Sequence, residues 1–205
     1  TLTESESGVL PLNYAPSVAD YISLLFYLQE IIFYEIIFIM KYYSFYNSPI
    51  GQIMMASDGN FLTGLWIENQ KYYAAGIAPN AQKLHKLDIF QYAEHWMRDY
   101  FNGMAPDAAN VPIEPNGTNF QKNVWKILCD IPYGNTATYG EIAKKIGILT
   151  GNTTCPRAVG AAIGHNPISI IIPCHRVIGA NKKLTGYAGG LEIKSHLLQL
   201  EKVLV

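Results

Sequence analysis

Residues 138–164 decide how this chain is read. Thr138-Tyr139-Gly140-Glu141 is a capping box, in which the threonine hydroxyl and the glutamate carboxylate satisfy N–H groups left orphaned by a helix's first turn. Ile142, Ala143 and Ile146 then fall on one face, and Gly147 is taken as the end of that helix. A loop runs to Thr154. Pro156, suited to a first-turn position, opens a second helix, Pro156-Arg157-Ala158-Val159-Gly160-Ala161-Ala162-Ile163-Gly164. Two short helices across a tight connection predict a helix-turn-helix. The second is slim, with Ala158, Gly160, Ala161 and Ala162. A slim helix can press against a sugar-phosphate backbone, or it can pack closely on another helix. The residues alone leave both open.

Working towards the N-terminus, Asn119–Cys129 carries Phe120, Val124, Trp125 and Leu128 at helical spacing, and Ile131-Pro132-Tyr133-Gly134 stops it. Residues 102–117 hold Gly103, Pro106, Pro112, Pro115 and Gly117 among acids and small residues, which reads as a linker. Before it lie three predicted strands, Lys41–Tyr46, Gly51–Ser57 and Phe61–Ile67, with the Asp58-Gly59 hairpin signal between the last two. A loop and then a helix, Leu87–Phe101, follow. The chain is therefore divided into an extension, 1–39, a sheet-plus-helix domain with its linker, 40–116, and a C-terminal domain, 117–205.

Residues 1–20 are polar with Pro11 and Pro16, and Tyr21–Met40 is strongly apolar but holds Gln29, Glu30 and Glu35. Buried acids oppose a membrane span, and no basic residue precedes Lys41, as a secretory signal would require. A packed or irregular extension is expected, with Met40 as an alternative natural start.

The net charge of −1 hides an asymmetry: residues 1–116 carry 5 Lys/Arg and 12 Asp/Glu, residues 117–205 carry 10 and 4. A basic C-terminal half suggests a polyanionic partner. Hydrophobic residues make up 49% of the chain, enough for a sizeable core. The 3 cysteines, Cys129, Cys155 and Cys174, show neither disulfide nor zinc spacing, which indicates a reducing compartment.

Towards the C-terminus, Ile168-Ser169-Ile170-Ile171-Ile172 reads as a buried strand or extended segment broken by Pro173, and Cys174-His175-Arg176 follows. A basic neighbourhood favours the thiolate, the nucleophilic form of cysteine. Cys129 and Cys155 read as core filler. Cys155, close to Arg157, has the alternative of a second reactive thiol.

Ile172-Pro173-Cys174-His175-Arg176-Val177 resembles the signature of the O6-alkylguanine-DNA alkyltransferases. Phe120-Gln121-x-x-Val124-Trp125, Ile131-Pro132-Tyr133-Gly134, Thr138–Ala143, Arg157-Ala158-Val159-Gly160, Asn166-Pro167 and Gly186-Tyr187-Ala188-Gly189-Gly190-Leu191 follow the same family's order. The resemblance is specific over 117–203 and looser over 41–116. It implies an α+β protein: a small N-terminal antiparallel sheet domain, ribonuclease H-like, followed by a C-terminal domain resembling a winged helix-turn-helix. It also implies a single-turnover transfer of an alkyl group from O6-alkylguanine in DNA to Cys174, with O4-alkylthymine a second candidate substrate. The alternative is an alkyltransferase-like protein that binds damage without transfer, although a tryptophan replaces the cysteine in that class.

Residue by residue, the resemblance makes Cys174 the acceptor, His175 its base through a water, and Glu201 the group that orients His175. Asn166 would brace the cysteine's turn, and Tyr139 would meet the departing guanine. Arg157 would be the finger filling the base stack, with Thr138, Ala158 and Ala161 on the DNA face. Tyr187, Ala188, Gly189 and Val177 would line the guanine pocket. Ala188 stands where some members have serine. No cofactor or metal is expected, the protein is expected to be a cytoplasmic monomer, and its partner is double-stranded DNA carrying the lesion.

Overall fold

A computed structural model describes residues 17–37 and 40–203 of the chain. They form two compact units, divided between residues 37 and 38. The first 16 residues, expected to be irregular, lie outside the described ones.

The first unit is one helix, α1 (Val18–Ile37). The sequence reading expects a packed or irregular stretch. Instead, the absence of Gly and Pro from residues 17–37 permits a helix, and Ser17 with Asp20 caps it: the Ser17 N–H donates to Asp20 Oδ2 (2.8 Å) and the Asp20 N–H to Ser17 Oγ (3.3 Å). Leu25 and Phe26 are largely exposed. Among the described residues no helix is long and apolar enough to cross a membrane.

The second unit begins with a four-stranded sheet ordered β3-β2-β1-β4. Strands β1 (Met40–Ser48), β2 (Gly51–Ser57) and β3 (Leu62–Ile67) make an antiparallel meander. The Asp58-Gly59 turn behaves as its sequence dictates. Asp58 Oδ1 accepts from the N–H groups of Asn60 and Phe61, and Gly59 has φ +119°. β4 (Ile77–Lys83) lies where the sequence suggests only a loop, and it pairs parallel to β1. Its Pro79 and Asn80 hide it from a reading based on alternation. Helix α2 (Asp88–Phe101) buries Phe90, Ala93, Trp96, Met97 and Tyr100.

The linker is not a free tether. The Leu62 N–H donates to Pro112 O (2.8 Å) and the Glu114 N–H to Leu62 O (3.0 Å), so residues 112–114 pair with the edge of β3.

Helix α3 (Asn119–Cys129) starts from a capping box of Thr118 and Gln121. β5 (Ala137–Thr138) leads into α4 (Tyr139–Thr150), and α5 (Pro156–Gly164) follows. The capping box at Thr138 and Glu141 is present. Gly147 does not end α4. The helix tolerates that glycine and stops one turn later at Gly151, whose φ of +70° supplies the left-handed cap. β6 (Val177–Ile178) pairs parallel with β5, and α6 (Leu191–Leu200) closes the fold.

One hydrophobic core runs through both halves of this unit. It joins Ile53, Leu65 and Phe90 to Trp125, Ile142, Val159, Ile172 and Leu197. Trp125 also donates its indole N–H to Ala162 O (2.9 Å), which ties α3 to α5.

Candidate active site

The run Ile168–Ile172 is buried, as expected, but it is a turn rather than a strand. Its entry is anchored to the N-terminal sheet: the Leu65 N–H donates to Pro167 O and the Ser169 N–H to Leu65 O, both at 2.8 Å. The chain then reverses through Ile170, whose φ is +70°, and the Ile171 N–H closes back on Ser169 O at 2.8 Å. That is a γ-turn of the rare positive-φ kind, and a β-branched residue there is strained. A second tight turn follows, with the Cys174 N–H on Ile172 O at 2.7 Å across Pro173 (φ −81°, ψ 62°). Ile168 and Ser169 before it and Ile171 and Ile172 after it are all buried, and their packing holds the strained backbone in place.

Asn166 ties this turn together. Its Oδ1 accepts from the Ile168 N–H (3.0 Å), while Nδ2 donates to Ile172 O (2.9 Å) and reaches Cys174 Sγ at 3.1 Å. Cys174 is buried, and burial pushes its thiol up from the ordinary range. The Asn166 amide, Lys194 and the backbone N–H groups of residues 174 and 175 pull it back down.

Behind the cysteine is a buried charge cluster. His175 Nε2 lies 2.7 Å from Glu201 Oε1. Burial holds the imidazole below its ordinary value, so it is neutral at neutral pH. Arg176 Nε donates to Glu201 Oε2 (2.9 Å) and Nη1 to Ile131 O (2.6 Å). The sequence suggests that Arg176 favours the thiolate directly, yet its guanidinium is committed to Glu201. The cation that acts on Cys174 is Lys194. The Gly134 N–H also donates to Glu201 Oε2 (3.0 Å). Burial pushes the carboxyl up, but His175 and Arg176 outweigh it and bring it down to about 2. His175 Nδ1, also buried, makes no hydrogen bond to a described residue.

Cys174 opens onto a cavity of about 440 Å³. Tyr139, Gly160, Ala161, Gly186, Tyr187 and Ala188 line it, together with Lys71, Tyr72 and His165. Of the residues singled out from sequence, the cavity thus gathers Cys174, Tyr139, Ala161, Tyr187 and Ala188. Asn166, His175 and Glu201 stand behind it. Val177 is fully buried in the core, and its carbonyl accepts from Lys194, so it does not line the cavity. Gly189 lies off the cavity too, but a Cβ there would come within 2.9 Å of the Tyr187 ring, so its smallness sets how that ring sits. Thr138 spends its hydroxyl on Glu141, at 3.2 Å from that residue's N–H and 2.9 Å from its carboxylate. Arg157 and Ala161 are exposed on α5, and Ala158 is half-buried. Cys155, read as core filler, is instead exposed at the N-cap of α5, immediately before the first-turn Pro156. Cys129 is partly buried.

Several contributors escape a reading by motif. Lys194 is wholly buried, donates to the carbonyls of Val177 (2.5 Å), Thr185 (2.7 Å) and Gly186 (3.3 Å), and is lowered by burial to about 8. Its signal is a lysine on the face of α6 that also carries Leu197 and Leu198. Gln70 accepts from the Ile67 N–H and from Ser169 Oγ, both at 2.9 Å. Tyr72 stacks on His165 with ring centroids 4.4 Å apart, and Lys71 sits over Tyr72. Tyr100 donates to Glu201 Oε1 at 2.8 Å. Gln70, Lys71 and Tyr72 come from a local stretch with no periodic pattern that would mark them, and Tyr100 lies on the buried face of α2, where its spacing reports burial and not its hydrogen bond.

Comparison with known proteins fits this geometry. The ribonuclease-like domain of 6-O-methylguanine DNA methyltransferase matches residues 41–115, and the DNA-binding domain matches 119–203. The chain belongs to the 6-O-methylguanine DNA methyltransferase family. Within that family it is 46% identical over 165 residues to the methylated-DNA–protein-cysteine methyltransferase of Haemophilus influenzae, covering 79% of this chain and 87% of that one. It is 45% identical to the protein of the same name from Methanosarcina acetivorans, covering 78% of this chain and 97% of that one. The crystal structure of Mycobacterium tuberculosis OGT in complex with DNA superposes with a TM-score of 0.66 at 43% identity, covering 78% of this chain and 92% of that chain. Residues 1–39 lie outside both methyltransferase domains.

Proposed function

We propose that this protein repairs DNA by direct reversal, moving the alkyl group of O6-alkylguanine onto Cys174. The observation that carries the reading is a buried cysteine on a cavity roomy enough to take a nucleobase, braced by Asn166 and backed by the His175–Glu201 pair. The O6 carbon is inaccessible in a duplex, so the nucleotide is flipped out into the cavity. Cys174 gives its proton, through water, to His175 Nδ1. The thiolate sulfur then bonds to the alkyl carbon as the carbon–O6 bond breaks, and the bonding pair stays with guanine. Guanine gains one proton, from Tyr139 or solvent, which balances the one lost by Cys174. The product is a thioether that water does not cleave, so each molecule reacts once.

α5 is the recognition helix. Arg157 is the long polar side chain of its exposed face and fills the vacated stack. Its small residues suit the minor groove, which carries little sequence information. Affinity should therefore fall with salt as counterion release weakens, and change little when flanking sequence is scrambled. Action in the reducing cytoplasm suits an exposed free thiol at Cys155.

The test is intact-protein mass after mixing with O6-methylguanine DNA. A permanent gain of one methylene, mapped to the Cys174 peptide, is expected. No gain, or a gain on Cys129 or Cys155, overturns the reading.

A further inference from the structure

We propose that Tyr100, delivered from α2 in the N-terminal half, is a positioning residue for the transfer: its hydroxyl fixes the His175 tautomer that leaves Nδ1 free to take the Cys174 proton. This rests on the transfer reading above.

The geometry is a triangle of polar atoms in a closed site. Tyr100 Oη lies 2.8 Å from Glu201 Oε1 and 3.3 Å from His175 Nε2, and Nε2 lies 2.7 Å from the same Oε1. All three side chains are buried. A phenol has one hydrogen. Burial and the adjacent carboxylate raise the Tyr100 pKa well above its usual value, so the hydrogen stays on the oxygen and is donated to Glu201. The oxygen's lone pairs are then what Nε2 meets. Both oxygens around Nε2 are acceptors, which places the ring hydrogen on Nε2 and the lone pair on Nδ1.

The phenol is itself held in place. Its ring stacks on Trp96 (centroids 5.3 Å, planes 8° apart) and meets Tyr133 edge-on at 5.9 Å. Trp96 is pinned in turn by its indole N–H on Asp107 O at 2.8 Å. A phenylalanine would fill this site equally well. The hydroxyl therefore answers to Glu201 and His175 rather than to packing. The other charged and titratable groups facing the cluster are Arg176, Lys194, Cys174, Tyr187 and Tyr133.

The test uses the full chain and Tyr100→Phe. ¹⁵N spectra of the His175 ring report the tautomer without any transfer. The wild type should show hydrogen on Nε2, and the variant a mixture. Reaction with free O6-benzylguanine, followed against pH, should slow about tenfold near neutrality, the equivalent of one charge-assisted hydrogen bond. The midpoint of the rising, acid-side limb of the profile should move to lower pH, because an imidazolium with one acceptor fewer forms less readily. A uniform rate loss with an unmoved midpoint means packing alone and overturns the proposal. So does a wild-type ring carrying its hydrogen on Nδ1, a measurement that stands even where the variant does not fold. A wild type that gains no methyl from O6-methylguanine DNA sinks the transfer reading instead, and the tautomer result still decides the role of Tyr100.

Discussion

The two halves of the residue 38–205 unit divide the work unevenly. The C-terminal half supplies Asn166, Cys174, His175, Arg176, Tyr187, Lys194 and Glu201: Asn166 reaches the Cys174 sulfur, Glu201 meets both His175 and Arg176, and Lys194 donates to nearby backbone carbonyls. The N-terminal half supplies no cysteine. It lines the cavity with Lys71 and Tyr72 and meets the groups behind it through the Leu65 backbone, the Gln70 amide and the Tyr100 hydroxyl. One half carries the chemistry, and the other holds a strained turn and a buried charge cluster in the shape that chemistry needs. A reactive thiol in a folded protein is thus a property of its supports as much as of its neighbours in sequence.

The sharpest way to break this comparison is at the cysteine itself. Cys174→Ala should abolish transfer, read as no mass gain, while duplex binding by gel shift stays near wild type. A loss of binding equal to the loss of transfer would merge two roles that the comparison keeps apart. Next in size is Glu201→Ala. It leaves the buried Arg176 without its carboxylate, and removing one partner of a buried pair costs about 3–5 kcal/mol. A fall in melting temperature of several degrees is expected; a shift under a degree would show that Glu201 holds nothing together.

Acid should expose the same cluster. Glu201 is held down to about 2, so its stabilising contribution is complete above the unfolded value of about 4.5 and is lost as pH falls from there towards 2. His175 has a lowered value and so is neutral in the fold. Unfolded chains take up its proton below about 6.5, which adds to the loss as pH falls. Denaturant midpoints measured from pH 7 to 3 should decline, and Glu201→Gln should flatten the part below 4.5. An equal decline in the variant would move the cause elsewhere.

Smaller effects test the bracing half. Gln70→Ala removes the acceptor shared by Ile67 and Ser169 and should cost roughly 1–2 kcal/mol, the value of leaving buried donors unpaired. It should also slow free-base reaction severalfold, through the turn rather than through any contact with the base. Arg157→Ala gives the opposite signature: duplex repair slows much more than reaction with O6-benzylguanine, which needs no flipping. Equal losses on both substrates would remove Arg157 from the flipping step.

How much of this was legible in the sequence follows the same division. Capping boxes, the Asp58-Gly59 turn and the amphipathic helices are local signals, and they appear where the residues place them. The Pro-Cys-His-Arg stretch is local too. Gly147 misleads because a glycine inside a helix and one at its end look alike in sequence; only Gly151 has the positive φ. The run Ile168–Ile172 misleads because its apolar character reports burial and not shape. Tyr100 and Glu201 stand 101 residues apart, and Gln70 and Ser169 stand 99 apart. No periodicity announces such pairs, since they exist only once the chain has closed on itself.

The pairing of residues 112–114 with the edge of β3 has a consequence for cleavage. Met104 is exposed and Ala105 has a positive φ of 50°, so the segment just before the pairing is open to a protease. A cut there would leave Pro112 and Glu114 bonded to Leu62, and Trp125 and Leu197 in the same core as Phe90. The two fragments would therefore stay together as a nicked but complementing pair, and a gene split at that point would yield pieces whose reactivity rises with their concentration. The linker is less a hinge than a seam.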